Sequence, residues 1–175
     1  MKVEILKHPT EEDWALCKQF ALNTMGKNMV TLPTDEWKVK ILEAEHSPIR
    51  VLNFVIKMEI PSWVSVHYVR HNIGVLHCVQ SQRNDRQNNY DRNKAPQDSP
   101  VSHMMYINAQ ELIHMAHKRL CRQASDETRQ VMETIVVEIL KTNPEFKSVL
   151  VPLCVYRNGK CTEFYPCNRK DNTNE

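Results

Sequence analysis

The feature that most constrains the fold of this chain is a helical segment with two adjacent apolar rows. The rows consist of residues spaced four apart, namely Val131, Ile135 and Ile139 beside Met132, Val136 and Leu140. Residues at this spacing share one face of an α-helix, so two neighbouring rows make a wide apolar face. Ser125 precedes the segment and is a good helix cap. We therefore predict a helix after Ser125 that lies at the centre of the core.

Apolar runs and capping residues predict the remaining elements. Strands are expected at 2–6, 51–60 and 75–79, and a helix is expected at 62–71. Three more helices are expected to begin after Thr10, Thr34 and Asn108, because each is a good N-cap with acidic residues in the turn that follows. The helix after Asn108 carries the apolar row Leu112, Ala116 and Leu120. This order predicts an α/β or α+β fold, with helices packed on a central sheet.

The length and local composition predict how the chain is organised. Its 175 residues suit one domain, which we assign to 1–175. Residues 80–99 are polar and rich in Arg and Asn, which is typical of a flexible loop. This loop is either a solvated connection or a substrate loop that closes over an anion. Residues 150–175 form a C-terminal tail that contains three cysteines.

The charge balance bears on partners. There are 23 Lys and Arg residues against 21 Asp and Glu residues, a formal net charge of +2. A near-neutral chain is a poor match for a polybasic nucleic-acid surface, so we expect no nucleic-acid partner. The alternative is an RNA or DNA contact through the arginines between Arg83 and Lys94, where Tyr90 is the only aromatic residue. A steep salt dependence of nucleic-acid affinity would favour that alternative.

The location and the state of the cysteines are linked. The N-terminus lacks the apolar core of a signal peptide, and no apolar run approaches the ~18 residues of a membrane span. We therefore expect a cytoplasmic protein without a membrane partner, whose cysteines are reduced. Our main expectation is no bound metal. The alternative is a structural zinc site made by Cys121, Cys154, Cys161 and Cys167, although their spacing is looser than that of usual ligand pairs.

Glycine is scarce, and this limits how a nucleotide can be bound. Only three glycines occur, so the chain has no Gly-rich phosphate loop of the Walker or dinucleotide-binding kind. Any phosphate must then be held by side chains. Arginine is the natural candidate, because its planar guanidinium matches two phosphate oxygens at once.

Several short segments in the middle of the chain form a recognisable pattern. They are Glu45-His46-Ser47-Pro48-Ile49, Arg70-His71-Asn72, Ser81-Gln82-Arg83, Arg92 with Pro96, and the set Asn108, Leu112, His114, Arg119, Ala124 and Glu127. In order and spacing, from His46 to about Ile139, they resemble the flavin-dependent thymidylate synthase family. Either His46 or Glu45 stands at the family's histidine position. The chain differs from the family at Asn72 and Gln110, which replace arginines, and by one inserted residue between Arg70 and Arg83.

This resemblance implies roles for individual residues. Ser81 would lie beside the reacting carbon and Arg119 would face the pyrimidine, so both would be catalytic. The residues implied to bind substrate are Arg83, Arg92 and Arg119, and His67 is added because it lies three residues before Arg70 in the predicted helix. The residues implied to bind the flavin are Arg70, His71, Asn108, His114 and His46.

The resemblance also implies an activity. The family methylates dUMP at C5 to give dTMP, using FAD as cofactor and methylenetetrahydrofolate and NADPH as co-substrates. It builds its sites between the subunits of a homotetramer. Because Asn72 and Gln110 replace family arginines, two alternatives stay open. One is a related enzyme that modifies C5 of another uridine nucleotide or adds a hydroxymethyl group. The other is a homologue that binds nucleotide or flavin without turnover.

Overall fold

The computed structural model of the protein describes residues 1–86 and 90–167. Its strands are β1 (Lys2–Lys7), β2 (Asn53–Pro61), β3 (Val75–Val79) and β4 (Pro100–Asn108). Its helices are α1 (Glu11–Asn23), α2 (Asp35–Glu43), α3 (Ser62–Tyr68), α4 (Ala109–Arg119), α5 (Asp126–Leu140) and α6 (Leu153–Tyr156). Short 3-10 turns at Ser47–Val51 and Pro144–Ser148 complete the described elements.

The four strands form one antiparallel sheet in the order β1-β2-β4-β3. Helices pack on one of its faces, which confirms a central sheet with packed helices and identifies the fold as α+β. Alternate residues of the two central strands point into the core: Phe54, Ile56, Met58 and Ile60 from β2, and Val101, His103, Met105 and Ile107 from β4. His103 is the polar exception in this inward row.

Helix α5 is the central core helix that the two apolar rows predicted. Val131, Met132, Ile135 and Ile139 are fully buried, and Val136 and Leu140 pack partly against the same core. The Ser125 hydroxyl accepts the Thr128 backbone N–H and so caps the helix, as expected. The apolar row predicted for the helix after Asn108 is confirmed too, because Leu112, Ala116 and Leu120 of α4 are all buried.

The structure corrects three element predictions. Strand β4 was not expected, because His103 and Ser102 interrupt the apolar pattern between Val101 and Met104. Helix α3 ends at Tyr68 instead of residue 71, since the chain turns as His71 N–H donates to the Tyr68 carbonyl. His67 and Arg70 therefore do not share a helix face. Strand β2 begins at Asn53 instead of residue 51, because Ser47–Val51 forms a 3-10 turn with Pro48 in its first positions.

Among residues 1–86 and 90–167, no helix has both the length and the apolar character that crossing a bilayer requires.

Candidate functional site

Helix α4 begins at a close contact between two chain segments. The Asn108 side chain accepts the Glu111 backbone N–H at 2.9 Å, and the Asn108 backbone N–H donates to the Gly74 carbonyl at 3.0 Å. Gly74 has φ +75°, and a Cβ there would collide with the Asn108 amide. Position 74 therefore requires glycine, for both its conformation and its contact. This contact places the turn that carries His71 against the first turn of α4.

Glu111, His71 and Arg119 form a hydrogen-bonded chain over that junction. Glu111 Oε1 lies 2.9 Å from His71 Nδ1, and Arg119 Nε lies 3.1 Å from His71 Nε2. Because the guanidinium can only donate, Nε2 must accept, so the His71 proton is on Nδ1 and points to the Glu111 carboxylate. The capping-box spacing of Glu111 is thus used only in part, since its carboxylate bonds His71 and not the Asn108 backbone.

Arg119 is fixed in place by two partners, one in the last turn of α3 and one in the turn that follows it. Besides His71, its Nη2 donates to the His67 carbonyl at 2.6 Å. Burial lowers the pKa of the Arg119 guanidinium, and the charge of Arg70 acts in the same direction. A half-buried arginine whose planar group is held at two points is suited to stabilising negative charge on a ligand in a fixed direction.

A second polar group lies along the same helix. Glu45 Oε2 accepts the Gln110 side-chain amide and lies 3.1 Å from His114 Nε2. Glu45 has φ +47°, a left-handed conformation that is unusual for a glutamate and costs of the order of 1 kcal/mol. The structure therefore brings Glu45, and not its neighbour His46, to α4. We call Glu45, His71, Gln110, Glu111, His114 and Arg119 the α4 cluster.

A groove lies on the other side of His67, between α3 and the loop that precedes β4. It has a volume of about 460 Å³, within the range of ligand sites. Among the residues that line it are Trp63, His67, Tyr90, Arg92 and Pro96. The Tyr90 hydroxyl is buried and has no hydrogen-bond partner among the described residues. A buried hydroxyl without a partner, in a residue that lines a groove, is suited to a ligand or a water molecule.

The groove has a positive electrostatic environment. Burial lowers the pKa of His67, and the charges of Arg119 and Arg70 lower it further. His67 Nδ1 is 2.8 Å from the Thr128 hydroxyl, so this ring is also held by α5. The structure thus places His67 between the groove and Arg119, and it puts Arg92 in the same groove.

Three of the predicted site residues lie apart from these groups. Arg83 makes a bidentate ion pair with Asp85, at 2.9 and 2.6 Å, and its side chain is 59% exposed. Ser81 is exposed and its hydroxyl accepts the Arg83 backbone N–H at 3.3 Å. His46 lines a different groove with Trp37 and Lys40, between α1 and α2. Arg70 is exposed in the turn after α3, beside His67 and Arg119.

The four cysteines of the zinc alternative meet at one place. Cys121, Cys154, Cys161 and Cys167 all line a cavity of about 10 Å³, and the six cysteines, which all lie within the described residues, form no disulfide with one another. Within residues 1–86 and 90–167, however, no three His, Cys, Asp or Glu side chains are arranged to hold a metal ion. The structure therefore gives the zinc alternative no support. The part of the tail at 168–175 lies outside the described residues.

Sequence reasoning missed two parts of this region. One is the role of Glu111 as the partner of His71, which its position in a capping box concealed. The other is a buried chain through Ser65, His77 and His103, linked at 3.1 and 2.9 Å. A polar residue at an inward position of β4 was the available signal, but without that strand its direction was unknown.

A family model described as "Thymidylate synthase complementing protein" matches residues 87–145, which include β4, α4 and the whole of α5. No curated protein sequence matches the chain significantly.

Two solved structures share the fold. A UMP/dUMP methylase, PolB from Streptomyces cacaoi, bound with 5-Br dUMP, is similar with a TM-score of 0.66 at 14% identity, over 86% of this chain and 96% of that chain. Thymidylate Synthase X (ThyX) from Helicobacter pylori, with FAD and dUMP, is similar with a TM-score of 0.63 at 13% identity, over 86% of this chain and 99% of that chain.

Proposed function

The chain belongs to the thymidylate synthase complementing protein family, and on this premise we propose that it methylates dUMP at C5 to give dTMP. In this proposal FAD is the cofactor, and methylenetetrahydrofolate and NADPH are the co-substrates. The observation that carries the proposal is the groove at His67. It combines Arg92 with Tyr90, whose hydroxyl has no partner among the described residues, and its lining residue His67 accepts a hydrogen bond from the fixed guanidinium of Arg119 at its backbone carbonyl.

The groove offers what a pyrimidine monophosphate needs. The phosphate carries a charge near −2 at neutral pH, and Arg92 supplies a donor fork for it. Trp63 provides an apolar wall, and its ring lies 5.6 Å from that of His67. Arg119 approaches from the α4 side, where charge that develops on the pyrimidine carbonyls would be stabilised. In this arrangement Arg83 is a second phosphate ligand, once it exchanges Asp85 for the phosphate.

The flavin would lie along the α4 cluster. Arg70 and His114 are exposed and offer donors to a flavin nucleotide. His71 and Asn108 are already engaged through their side chains, so they fit the group as shaping residues and not as free donors. Reduced flavin supplies the electrons of the methylation when it is bound. His46 remains a proposed flavin contact that a partner subunit would have to complete.

The proposal includes a shared site. We propose a homotetramer in which Ser81 and His46 complete the site of another subunit, because in one chain they lie apart from the α4 cluster. Six cysteines without a disulfide between them favour a reducing compartment, and we therefore propose a cytoplasmic location. Sedimentation at micromolar concentration tests the assembly, and a monomer would contradict it.

A second acceptor is favoured by one observation. Gln110 replaces an arginine of the family, and its side-chain amide donates to Glu45. The α4 cluster therefore lacks a positive charge that the family has at this position. One of the structural relatives is described as a UMP/dUMP methylase. UMP is therefore the alternative acceptor, and a hydroxymethylated product or binding without turnover are further alternatives to be scored in the same assay.

The test is a product assay on the purified protein. Protein loaded with FAD is incubated with methylenetetrahydrofolate, NADPH and either dUMP or UMP, and the products are separated by chromatography. We expect dTMP from dUMP, and an unchanged rate in the control Arg50→Ala, which alters an exposed arginine away from the site. A protein that takes up no FAD, or takes it up and forms no C5-modified nucleotide, would contradict the proposal.

A further inference from the structure

A polar chain, buried at Ser65 and His103 and part-buried at His77, runs through three secondary-structure elements. Ser65 Oγ of α3 lies 3.1 Å from His103 Nδ1 of β4, and His103 Nε2 lies 2.9 Å from His77 Nδ1 of β3. His77 Nε2 lies 2.6 Å from the carbonyl oxygen of His71. The chain therefore ends on the backbone of the residue whose ring holds Arg119.

The direction of each hydrogen bond follows from its last acceptor. A carbonyl oxygen can only accept, so His77 carries a proton on Nε2, and in the neutral ring its Nδ1 accepts. His103 Nε2 then donates to His77, and His103 Nδ1 accepts from the Ser65 hydroxyl. His103 is fully buried, and burial, with a smaller contribution from His77, lowers its pKa to about 4. His103 is thus neutral at neutral pH, and with a neutral His77 ring the hydrogen bonds run in one direction, from Ser65 to the His71 carbonyl.

The polar residue at the inward position 103 of β4 calls for a physical explanation. The other inward residues of β4 are apolar, namely Val101, Met105 and Ile107, and an apolar residue at 103 would continue the same core. Each ring nitrogen of His77 and His103 has a hydrogen-bond partner, so this polar chain avoids the penalty of an unsatisfied buried group. Fully paired networks of this type favour one arrangement of the elements that they join.

We propose that His77 and His103 are positioning residues that, with Ser65, hold the turn of His71 and so orient Arg119. The His71 ring donates to Glu111 and accepts from Arg119. A shift of its backbone moves both contacts. The consequence for substrate rests on the proposed function, whereas the consequence for the His71 ring does not. Neither histidine lines the groove, and His77 meets the α4 cluster only at the backbone carbonyl of His71.

The variants His77→Leu and His77→Gln separate shape from hydrogen bonding. Leucine leaves the His71 carbonyl and the His103 N–H without partners. Glutamine keeps one donor and one acceptor at comparable reach. A third variant, Ser65→Ala, removes only the hydroxyl at the far end of the polar chain. We expect it to fold, so it serves as the test if His77→Leu does not fold. His8→Gln, between β1 and α1, is the matched histidine control.

Two measurements are made on each protein at neutral pH. The first is the ring nitrogen pattern of His71 by ¹⁵N–¹H correlation, assigned by its absence in His71→Gln. The second is dUMP affinity by calorimetry. We expect the Nδ1–H pattern in the wild type, in His77→Gln and in His8→Gln, and a mixed tautomer pattern in His77→Leu. We expect dUMP affinity to fall about 10-fold in His77→Leu and about 3-fold in Ser65→Ala, with His77→Gln within about 3-fold of the wild type.

Each possible result either supports or contradicts the proposed positioning role. If His77→Leu folds and keeps both the Nδ1–H pattern and the wild-type affinity, the proposal is wrong. If it does not fold, unchanged ring patterns and affinity in Ser65→Ala overturn the proposal, and a change in both supports it. If the wild-type protein binds no dUMP, the proposed function fails. The ring patterns of the three variants then still decide whether the chain positions His71.

Discussion

The α4 cluster and the loop at 80–99 hold arginines in opposite ways. In the cluster, Arg119 is half-buried, and its partners His67 and His71 lie 52 and 48 residues away in the chain. In the loop, Arg83 is 59% exposed and bonds Asp85, two residues away. The Arg92 backbone likewise bonds nearby Asn84, at 3.1 Å. The Arg119 side chain is thus held by residues distant in sequence, whereas the contacts of Arg83 and of the Arg92 backbone are made within the loop.

This difference separates two kinds of binding residue. Contacts between distant segments exist only in the folded protein, so Arg119 keeps its direction with or without ligand. An exposed local ion pair contributes about 0–1 kcal/mol, which a phosphate contact of about 1.5–3 kcal/mol can replace. The cluster is therefore preorganised, and the described part of the loop is adaptable. Residues 87–89 of the predicted flexible loop lie outside the described residues.

Removing Arg119 should have the largest effect. We expect Arg119→Ala to lower the rate of dTMP formation by about 100- to 1,000-fold, because a fixed donor to developing charge is lost. Stability should fall by about 1–3 kcal/mol, since the His67 carbonyl and His71 Nε2 lose their donor. The fold should survive, because the apolar row Leu112, Ala116 and Leu120 is untouched. Rates and chemical denaturation measure the two effects.

The variant Arg119→Lys sharpens this test. A lysine keeps the charge but cannot donate to the His67 carbonyl and His71 Nε2 in one plane. We expect its rate to stay near that of Arg119→Ala. A rate near the wild type would show that charge alone matters and that the two fixed contacts do not.

Acidification should weaken the scaffold and leave the loop untouched, because residues 80–99 contain no histidine. Burial lowers the pKa of His103 to about 4, and it does the same for His117, which Glu45, His114 and Arg157 also face. Both rings are neutral in the folded state, while the unfolded state takes up protons below about pH 6.5. Their stabilisation is therefore full above pH 6.5 and is lost as the pH falls towards 4.

The size of this effect can be measured. Between pH 7 and 5 the free energy of unfolding should fall by roughly 2 kcal/mol for each of the two histidines. His103→Gln and His117→Gln should each flatten the pH dependence, whereas His46→Gln, an exposed histidine, should not. A pH dependence that is equally steep in all four proteins would show that other groups cause it.

Glu111→Gln should have a smaller effect than loss of Arg119. The amide can donate to His71 Nδ1, which would move the ring proton to Nε2 and turn it towards the Arg119 guanidinium. We expect dTMP formation to fall about 10- to 100-fold, as for the loss of a charge-assisted hydrogen bond. Glu133→Gln, on the exposed part of α5, is the control. Equal rates in both variants would remove Glu111 from the orienting chain.

The sequence predicted the helices of the scaffold better than it predicted the contacts of the site. Residues spaced four apart fixed α4 and α5, and cap chemistry placed their first residues, because both signals are local. The direction of His71 and the choice of Glu45 over His46 depend on contacts between distant segments. Strand β4 was missed since His103, whose partners are Ser65 and His77, breaks the apolar alternation that would have revealed it.

The loop arginines should give the smallest effect and the most specific one. Arg92 lies in the groove, whereas Arg83 must first leave Asp85. We therefore expect Arg92→Ala to weaken dUMP binding about 10-fold and Arg83→Ala about 5-fold, from a phosphate contact of about 1.5–3 kcal/mol reduced by exposure. Both variants should bind uridine nearly as the wild type does, because uridine has no phosphate.

Arg86→Ala is the matched control, since Arg86 is an exposed arginine of the same loop outside the groove. Asp85→Asn adds a second arm. It frees Arg83 from its ion pair, so dUMP affinity should rise slightly, by about 2-fold, if the phosphate and Asp85 compete for one guanidinium. Equal losses for dUMP and uridine in the arginine variants would show that these side chains do not hold the phosphate. No gain in Asp85→Asn would show that Arg83 does not change partners, and the loop would then be as preorganised as the cluster.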